Sequence, residues 1–282
     1  MNEKALGKRL QEARQKAGLT QQELCQRAGL SYSTLAKIER GAIKSPSVFS
    51  VAAIASVCSV PLEELLQAEL ASPTPGSSKK RSATGVSFVY LDVNGVLVRF
   101  FHRAFSVIAE EAGVGADIIE TLFWRHNDAV CRGELSYEDF NAIFVQELGI
   151  QGFDWKRYYM ANVDPMPHVE ELVSWISQHY RIGLLTNNMP GFTHELLASN
   201  RIPNIRYDAV IDSSEVKAIK PEAQIYEVAQ QRAGVEAQEI LLIDDGRTNL
   251  MAADRLGWHV LWFDDFRPEE SLERARQALA FN

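Results

Sequence analysis

With 282 residues, 46% hydrophobic and 23% charged, the chain carries enough apolar material for two cores and excludes a fibrous or disordered protein. No run of about 18 apolar residues is present, and the start Met1-Asn2-Glu3-Lys4 has no apolar signal core, which predicts a cytoplasmic protein. The net charge of −8 is uneven: residues 1–70 carry +2, residues 71–86 a further +3 and the rest −13, so only the front end suits a polyanion.

Leu6, Leu10 and Ala13 recur at helical spacing among charged residues and predict an amphipathic helix over 3–16, ended by Gly18. Thr20 and Glu23 have the spacing of a capping box and open a second helix, with Leu24 and Ala28 inward and Gly29 at its end. Ser31 caps a third helix through Arg40, with Leu35 and Ile38 inward. Two short helices joined by a glycine-containing turn form a helix-turn-helix, whose second member presents its outward positions to a major groove. Further helices at 47–56 and 61–67 close an all-α bundle over residues 1–70. Residues 71–85 are Pro/Gly-rich and aperiodic, and read as a flexible linker in which Lys79, Lys80 and Arg81 are solvated charge. Cys25, Cys58 and Cys131 are odd in number and widely spaced, which argues against a disulfide framework or a Cys-based zinc site; they read as small buried hydrophobes.

From Val86 to the end the pattern becomes α/β. Short apolar runs at 86–91, 182–185, 209–211, 240–243 and 260–263 predict buried strands, with helices around 223–233 and 247–256 between them. Such alternation gives a Rossmann-like parallel sheet whose ligands sit at the carboxyl ends of its strands. The polar clusters fall there: Asp92 after the first strand, Thr186-Asn187-Asn188 after the second, Lys220-Pro221 beyond the third and Asp244-Asp245 after the fourth. Helical patterns at 103–112, 116–129, 136–148 and 155–161 fill the interval 100–165 and predict a small helical cap. Within it Phe101, His102, Trp124, Arg125, His126 and Arg132 are candidates for ligand contact, with one or two of the six expected to make it.

The run Leu19-Thr-Gln-Gln-Glu-Leu24 with Ala28-Gly-Leu-Ser-Tyr-Ser-Thr-Leu-Ala-Lys-Ile-Glu-Arg-Gly41 resembles the phage-repressor (Cro, XRE) helix-turn-helix family. The resemblance implies a double-stranded operator as partner. Gln21, at a helix N-terminus, would bind phosphate. Tyr32, Ser33 and Lys37 would face base edges, and Thr34 and Arg40 would support the backbone contact, with the capping Ser31 completing the DNA-facing set. Glu39 would be scaffold. It also implies a homodimer on paired half-sites, because one short recognition helix reads few bases.

The order Phe88-Val-Tyr-Leu-Asp92-Val-Asn94-Gly95, Thr186-Asn187, Lys220-Pro221 and Asp244-Asp245 resembles the haloacid-dehalogenase-like hydrolase superfamily, and the cap resembles that of its phosphatase subfamily. The implied roles are Asp92 as nucleophile and Mg²⁺ ligand, and Asn94 as metal ligand through its backbone carbonyl. Thr186 and the backbone N–H of Asn187 would hold phosphate oxygens, Lys220 would neutralise nucleophile and phosphate, and Asp245 would ligate Mg²⁺ with Asp244 reaching it directly or through water. The paired acids favour a phosphate-handling member over a dehalogenase, which has no metal to hold.

Asn94 stands where the family carries a second aspartate, the acid that protonates the leaving oxygen and activates water. An amide does neither, which removes about 10²–10⁴-fold of rate while leaving ligand and metal binding possible. Three readings follow: a transcriptional regulator sensing a phosphorylated small molecule with weak or no turnover; an active Mg²⁺-dependent phosphatase carrying a regulatory DNA-binding domain; and a ligand-free pseudoenzyme used to oligomerise. Asn94-Gly95 is also the dipeptide most open to deamidation, unless the loop holds the glycine nitrogen in hydrogen bonds.

Overall fold

Leu10, Leu24, Leu35 and Ile54 have no exposed surface, and these four aliphatic side chains knit the N-terminal helices into one core with Leu6, Ile38 and Val51. The computed structural model describes residues 3–40, 43, 46–58, 60 and 79–281, and it divides into a unit over 1–78 and a unit over 79–282. Helix α1 spans Glu3–Lys16, α2 Gln21–Ala28, α3 Tyr32–Glu39 and α4 Val48–Val57. Thr20 and Glu23 form the expected capping box, and Gly29 ends α2 in the left-handed conformation at φ +66°. Ser31 and Ser47 cap α3 and α4 through their hydroxyls. The helix expected at 61–67 lies outside the described residues, as does the 71–78 part of the expected linker.

Residues 79–85 belong to the second unit. The Lys79 ammonium donates to the carbonyls of Tyr180, at 3.0 Å, and Ser177; Lys80 lies 3.9 Å from the centre of the Phe281 ring; Arg81 pairs with Glu239. The basic triplet stays exposed but is tethered to the second unit, because carbonyls, a ring face and a carboxylate each take one cation.

The second unit is built on a five-stranded parallel sheet in the order β3-β2-β1-β4-β5. The strands are β1 Phe88–Leu91, β2 Arg181–Thr186, β3 Ala209–Asp212, β4 Ile240–Asp244 and β5 His259–Trp262. Alternate residues feed opposite faces: Val89, Leu91 and Ile243 join one cluster, Phe88, Tyr90 and Leu242 the other. β1 lies centrally, paired Leu91↔Leu184 with β2 and Leu91↔Ile243 with β4, so the chain leaves in opposite directions beside it and opens a crevice at its carboxyl end.

The cap comprises α5 His102–Ala112, α6 Ala116–Cys131, α7 Tyr137–Leu148 and α8 Trp155–Asn162. Its interior is aromatic: Phe123 and Trp155 ring centres lie 4.7 Å apart, with Phe101, Phe105, Phe140 and Phe144 around them. Two backbone segments join the cap to the sheet, tied by Arg99 N–H to Asp164 O and Met166 N–H to Leu97 O. The remaining helices are α9 Val169–His179, α10 Phe192–Ala198, α11 Ser213–Val216, α12 Ala223–Ala233, α13 Arg247–Arg255 and α14 Pro268–Ala278. No described helix is long and apolar enough to cross a membrane.

Candidate active site

The carboxyl ends of β1, β2 and β4 bring Asp92, Thr186, Asp244 and Asp245 together, and the loop beyond β3 adds Lys220. The Lys220 ammonium is buried and sits 2.8 Å from Asp92 Oδ2 and 2.6 Å from Asp244 Oδ2. Oxygens of Asp92, Asp244 and Asp245 lie within 4.8 Å of one another. Two carboxyls thus share one ammonium, and a third lies close to both. Burial pushes the Asp92 carboxyl up, Lys220 pulls it back, and Asp244 and Asp245 push it up again, leaving it raised. Asp245 is raised for the same first reason, burial, with Asp244 next. Burial opposes the charge on Lys220, but Asp244 and Asp92 outweigh it and the ammonium is raised above its ordinary value.

Each of these groups is fixed by a neighbour. Asp92 Oδ1 accepts from Val93 N–H at 2.7 Å. Asp244 Oδ1 accepts from Gly246 N–H at 2.7 Å and from Asn249 Nδ2 at 3.0 Å, so both its oxygens are engaged. The Asn187 side chain clamps the backbone of Lys220 from both sides, taking its N–H at 2.7 Å and donating to its carbonyl at 2.8 Å. Gly95, at φ +83°, passes so close to the acids that a Cβ there would lie 2.2 Å from Asp245 Oδ2. Only glycine satisfies both the backbone angle and the approach. Thr186 Oγ1 is buried and makes no hydrogen bond to any described residue.

Asn94 lies in the same loop. Its Oδ1 accepts from the Tyr159 hydroxyl on α8 at 2.8 Å, and burial holds that phenol well above its ordinary range, so it stays protonated. The Gly95 N–H, the nitrogen that deamidation would require, donates instead to Val98 O at 2.8 Å.

A cavity of about 170 Å³ lies between these groups and the cap. Asp92, Asn94, Asn187 and Asp245 line it, whereas Thr186, Lys220 and Asp244 stand behind that surface. Of the six cap candidates, Phe101 and Trp124 line it and His102, Arg125, His126 and Arg132 do not. Arg132 is taken by Glu222 at 2.7 Å and Glu134 at 3.3 Å. Sequence reasoning missed Tyr159 and Asn249. Asn249 carried a signal, an amide one turn into the helix that starts after Asp244-Asp245; Tyr159 carried none, since its partner is 65 residues away.

Residues 88–257 match the family model described as haloacid dehalogenase-like hydrolase. The chain belongs to the haloacid dehalogenase-like (HAD) hydrolase family. An (S)-2-haloacid dehalogenase of Pseudomonas fluorescens is 23% identical over 83 residues, 29% of this chain and 36% of that protein, so the match spans about a third of the curated relative. A HAD family enzyme of Bacteroides thetaiotaomicron, solved as a mutant in complex with magnesium and inorganic phosphate, superposes with a TM-score of 0.55 at 20% identity, over 64% of this chain and 95% of that one. A HAD-like hydrolase of Porphyromonas gingivalis gives 0.53 at 23% identity, over 64% and 92%. These likenesses establish the fold of the HAD domain.

Residues 10–65 match the family model described as helix-turn-helix, so the N-terminal unit carries a helix-turn-helix domain. In it Arg14 and Glu39 form a buried two-point ion pair at 2.7 and 3.0 Å, and Gln21 Nε2 donates to the same carboxylate at 2.7 Å. Glu39 is thus held as scaffold, and the side chain of Gln21 is engaged at the N-terminus of α2. Ser31, Tyr32, Ser33, Lys37 and Arg40 lie exposed on or beside α3 and Thr34 is half-buried, with Tyr32 55% exposed.

Proposed function

We propose that this protein is a sequence-specific DNA-binding regulator whose HAD domain binds a phosphorylated small molecule with Mg²⁺, turns it over slowly or not at all, and alters DNA affinity in response. The observation that carries the reading is an otherwise complete nucleophile, lysine and acid constellation whose proton-donor position is an amide. Phosphoryl transfer to Asp92 makes an aspartyl-phosphate and expels an alkoxide, which needs a proton. Asn94 offers an N–H hydrogen bond and no proton to give, and it activates no water for the return step.

Binding chemistry is intact. Thr186 Oγ1, buried and unpartnered, suits a phosphate oxygen, and the ammonium of Lys220 neutralises the acids behind it. An all-oxygen donor set of Asp92, Asp245 and the Asn94 backbone carbonyl fits Mg²⁺, with Asp244, already engaged at both oxygens, acting through water. When bound, the ion would offset charge on the carboxylates and the phosphate. The magnesium and phosphate in the Bacteroides enzyme support this assignment.

On the DNA side, α3 would enter the major groove, with Lys37, Ser33 and Tyr32 at base edges, Thr34, Ser31 and Arg40 beside them and the N-terminus of α2 at Gln21 on phosphate. Two copies on paired half-sites would supply the specificity one helix lacks. Retention of Asp92 with its lysine favours a second reading, a slow phosphatase with an attached DNA-binding domain. A ligand-free pseudoenzyme is disfavoured, because it would carry two buried carboxyls on one ammonium, with a third half-buried acid beside them, without use. Release of phosphate from p-nitrophenyl phosphate by the wild-type chain at a rate matching Asn94→Asp would favour the enzyme; a wild-type rate at background, with inorganic phosphate and Mg²⁺ still bound, supports the regulator.

A further inference from the structure

The cap wall of the cavity names a class of ligand. It consists of Phe100, Phe101, Phe123, Trp124, Trp155 and Tyr159, with Asn127, Asp128 and Cys131 beside them, and no lysine, arginine or histidine lines the cavity. Sugar and nucleotide leaving groups carry several hydroxyls or further phosphates, each of which loses water on entry and needs a donor or a cation in return. This wall offers no cation and only Asn127, Asp128 and the Tyr159 hydroxyl, the last already donating to Asn94. The volume, about 170 Å³, is also below the roughly 300–1,000 Å³ of common ligand pockets. Once a phosphate occupies the floor at Asp92, room remains for a leaving group of few heavy atoms.

The mouth narrows the class further. Trp124 and Asp128, the exposed members of the lining, lie one helical turn apart on α6 and so share a face. Phe100 stands beside Trp124, ring centres 5.9 Å apart and planes 18° from parallel. Among the described residues the Asp128 carboxylate has only the amide of Asn127, at 3.2 Å, and no cation; Arg132, one turn on, is committed to Glu222 and Glu134. Aromatic faces attract a cation through their quadrupole, and an acid without a counter-charge attracts it further.

We infer that the phosphorylated ligand is the monoester of a short ammonium alcohol, its phosphate at Asp92 and its alkylammonium end against Phe100, Trp124 and Asp128. This rests on the phosphate-binding reading above and deepens it. Titration calorimetry on the full chain with Mg²⁺ tests it with four probes: inorganic phosphate, phosphocholine, its uncharged carbon isostere 3,3-dimethylbutyl phosphate, and glucose 6-phosphate. Phosphocholine should bind about tenfold or more tightly than the isostere, and glucose 6-phosphate more weakly than both. Asp128→Asn and Trp124→Ala should each bring phosphocholine close to the isostere. Equal affinity for phosphocholine and the isostere in the wild type, or tighter binding of glucose 6-phosphate, overturns the assignment while inorganic phosphate still binds. Absence of binding by inorganic phosphate removes the phosphate reading itself, and this one with it.

Discussion

The hydroxyl of Tyr159, on cap helix α8, donates to Oδ1 of Asn94, in the loop after β1, at 2.8 Å. The bond joins the cap to the loop after β1 and commits the carbonyl end of the amide, so the Asn94 side chain is held in one orientation. Replacing Asn94 with Asp restores an ionisable group without altering size. Turnover of small phosphomonoesters, followed as released phosphate with Mg²⁺ present, should rise about 10²–10⁴-fold in Asn94→Asp. An unchanged rate would show that the missing acid is not what limits the chemistry.

The crowded acids give the ion-free protein an unusual pH dependence. Asp92 is pushed up to about 8 and Asp245 to about 6, chiefly by burial, against an unfolded carboxyl near 3.9. Between those limits the folded protein holds more protons than the unfolded one, so stability is fullest at the acid end and falls as pH rises from about 4 to about 8. In a chelator the melting temperature should drop across this window, and Mg²⁺, which selects the ionised carboxylates, should raise it more near pH 8 than near pH 5. Asp245→Asn should flatten both trends. A melting temperature that climbs with pH in the chelator, in wild type but not in Asp245→Asn, would contradict the arrangement.

Gly95→Ala should be costly for its size. The new methyl would sit 2.2 Å from Asp245 Oδ2 at a φ of +83°, so the loop, the acid or both must move. We expect a loss of about 1–3 kcal/mol in stability together with lost Mg²⁺-dependent phosphate binding, read by thermal melts with and without the ion. Retention of that binding would show that the close approach does not position Asp245.

In the helix-turn-helix domain, Lys37 is exposed on α3 and Gln21 sits at the start of α2. Lys37→Ala should reduce discrimination between a selected operator and its single-base variants, whereas Gln21→Ala should weaken all sequences more evenly. Fluorescence anisotropy over a set of such variants separates the two patterns, and an unchanged preference in Lys37→Ala would remove it from the base-reading surface.

Much of this architecture is legible in the sequence because its signals are local. Apolar runs such as Ile240–Asp244 with an acid at the end mark both a strand and its contribution to the crevice, and Thr20 with Glu23 marks a helix start within four residues. The order of the polar clusters alone places Asp92, Lys220, Asp244 and Asp245 at one end of the sheet, where they converge. Contacts between distant segments left no such trace. Tyr159 reads as one more aromatic in a cap full of them, and nothing near Asn187, read as a phosphate ligand through its backbone N–H, announces that its side chain clamps the backbone of Lys220. Arg132 is among the six cap candidates for ligand contact, yet Glu222, 90 residues on, takes it. The basic triplet after the Pro/Gly-rich stretch followed composition into the linker, because nothing nearby announces Phe281, Glu239 or the carbonyls of Ser177 and Tyr180.

In the proposed regulator, ligand in the HAD domain changes the affinity of the helix-turn-helix domain for DNA. The most direct measurement is the dissociation constant of the full chain for an operator selected by the wild-type protein, with Mg²⁺ alone and with Mg²⁺ plus saturating phosphocholine, in wild type and Asp245→Asn. A shift of about 5–150-fold is expected in the wild type and none in Asp245→Asn. Identical constants in the wild type, with phosphocholine shown by calorimetry to be bound, would contradict it.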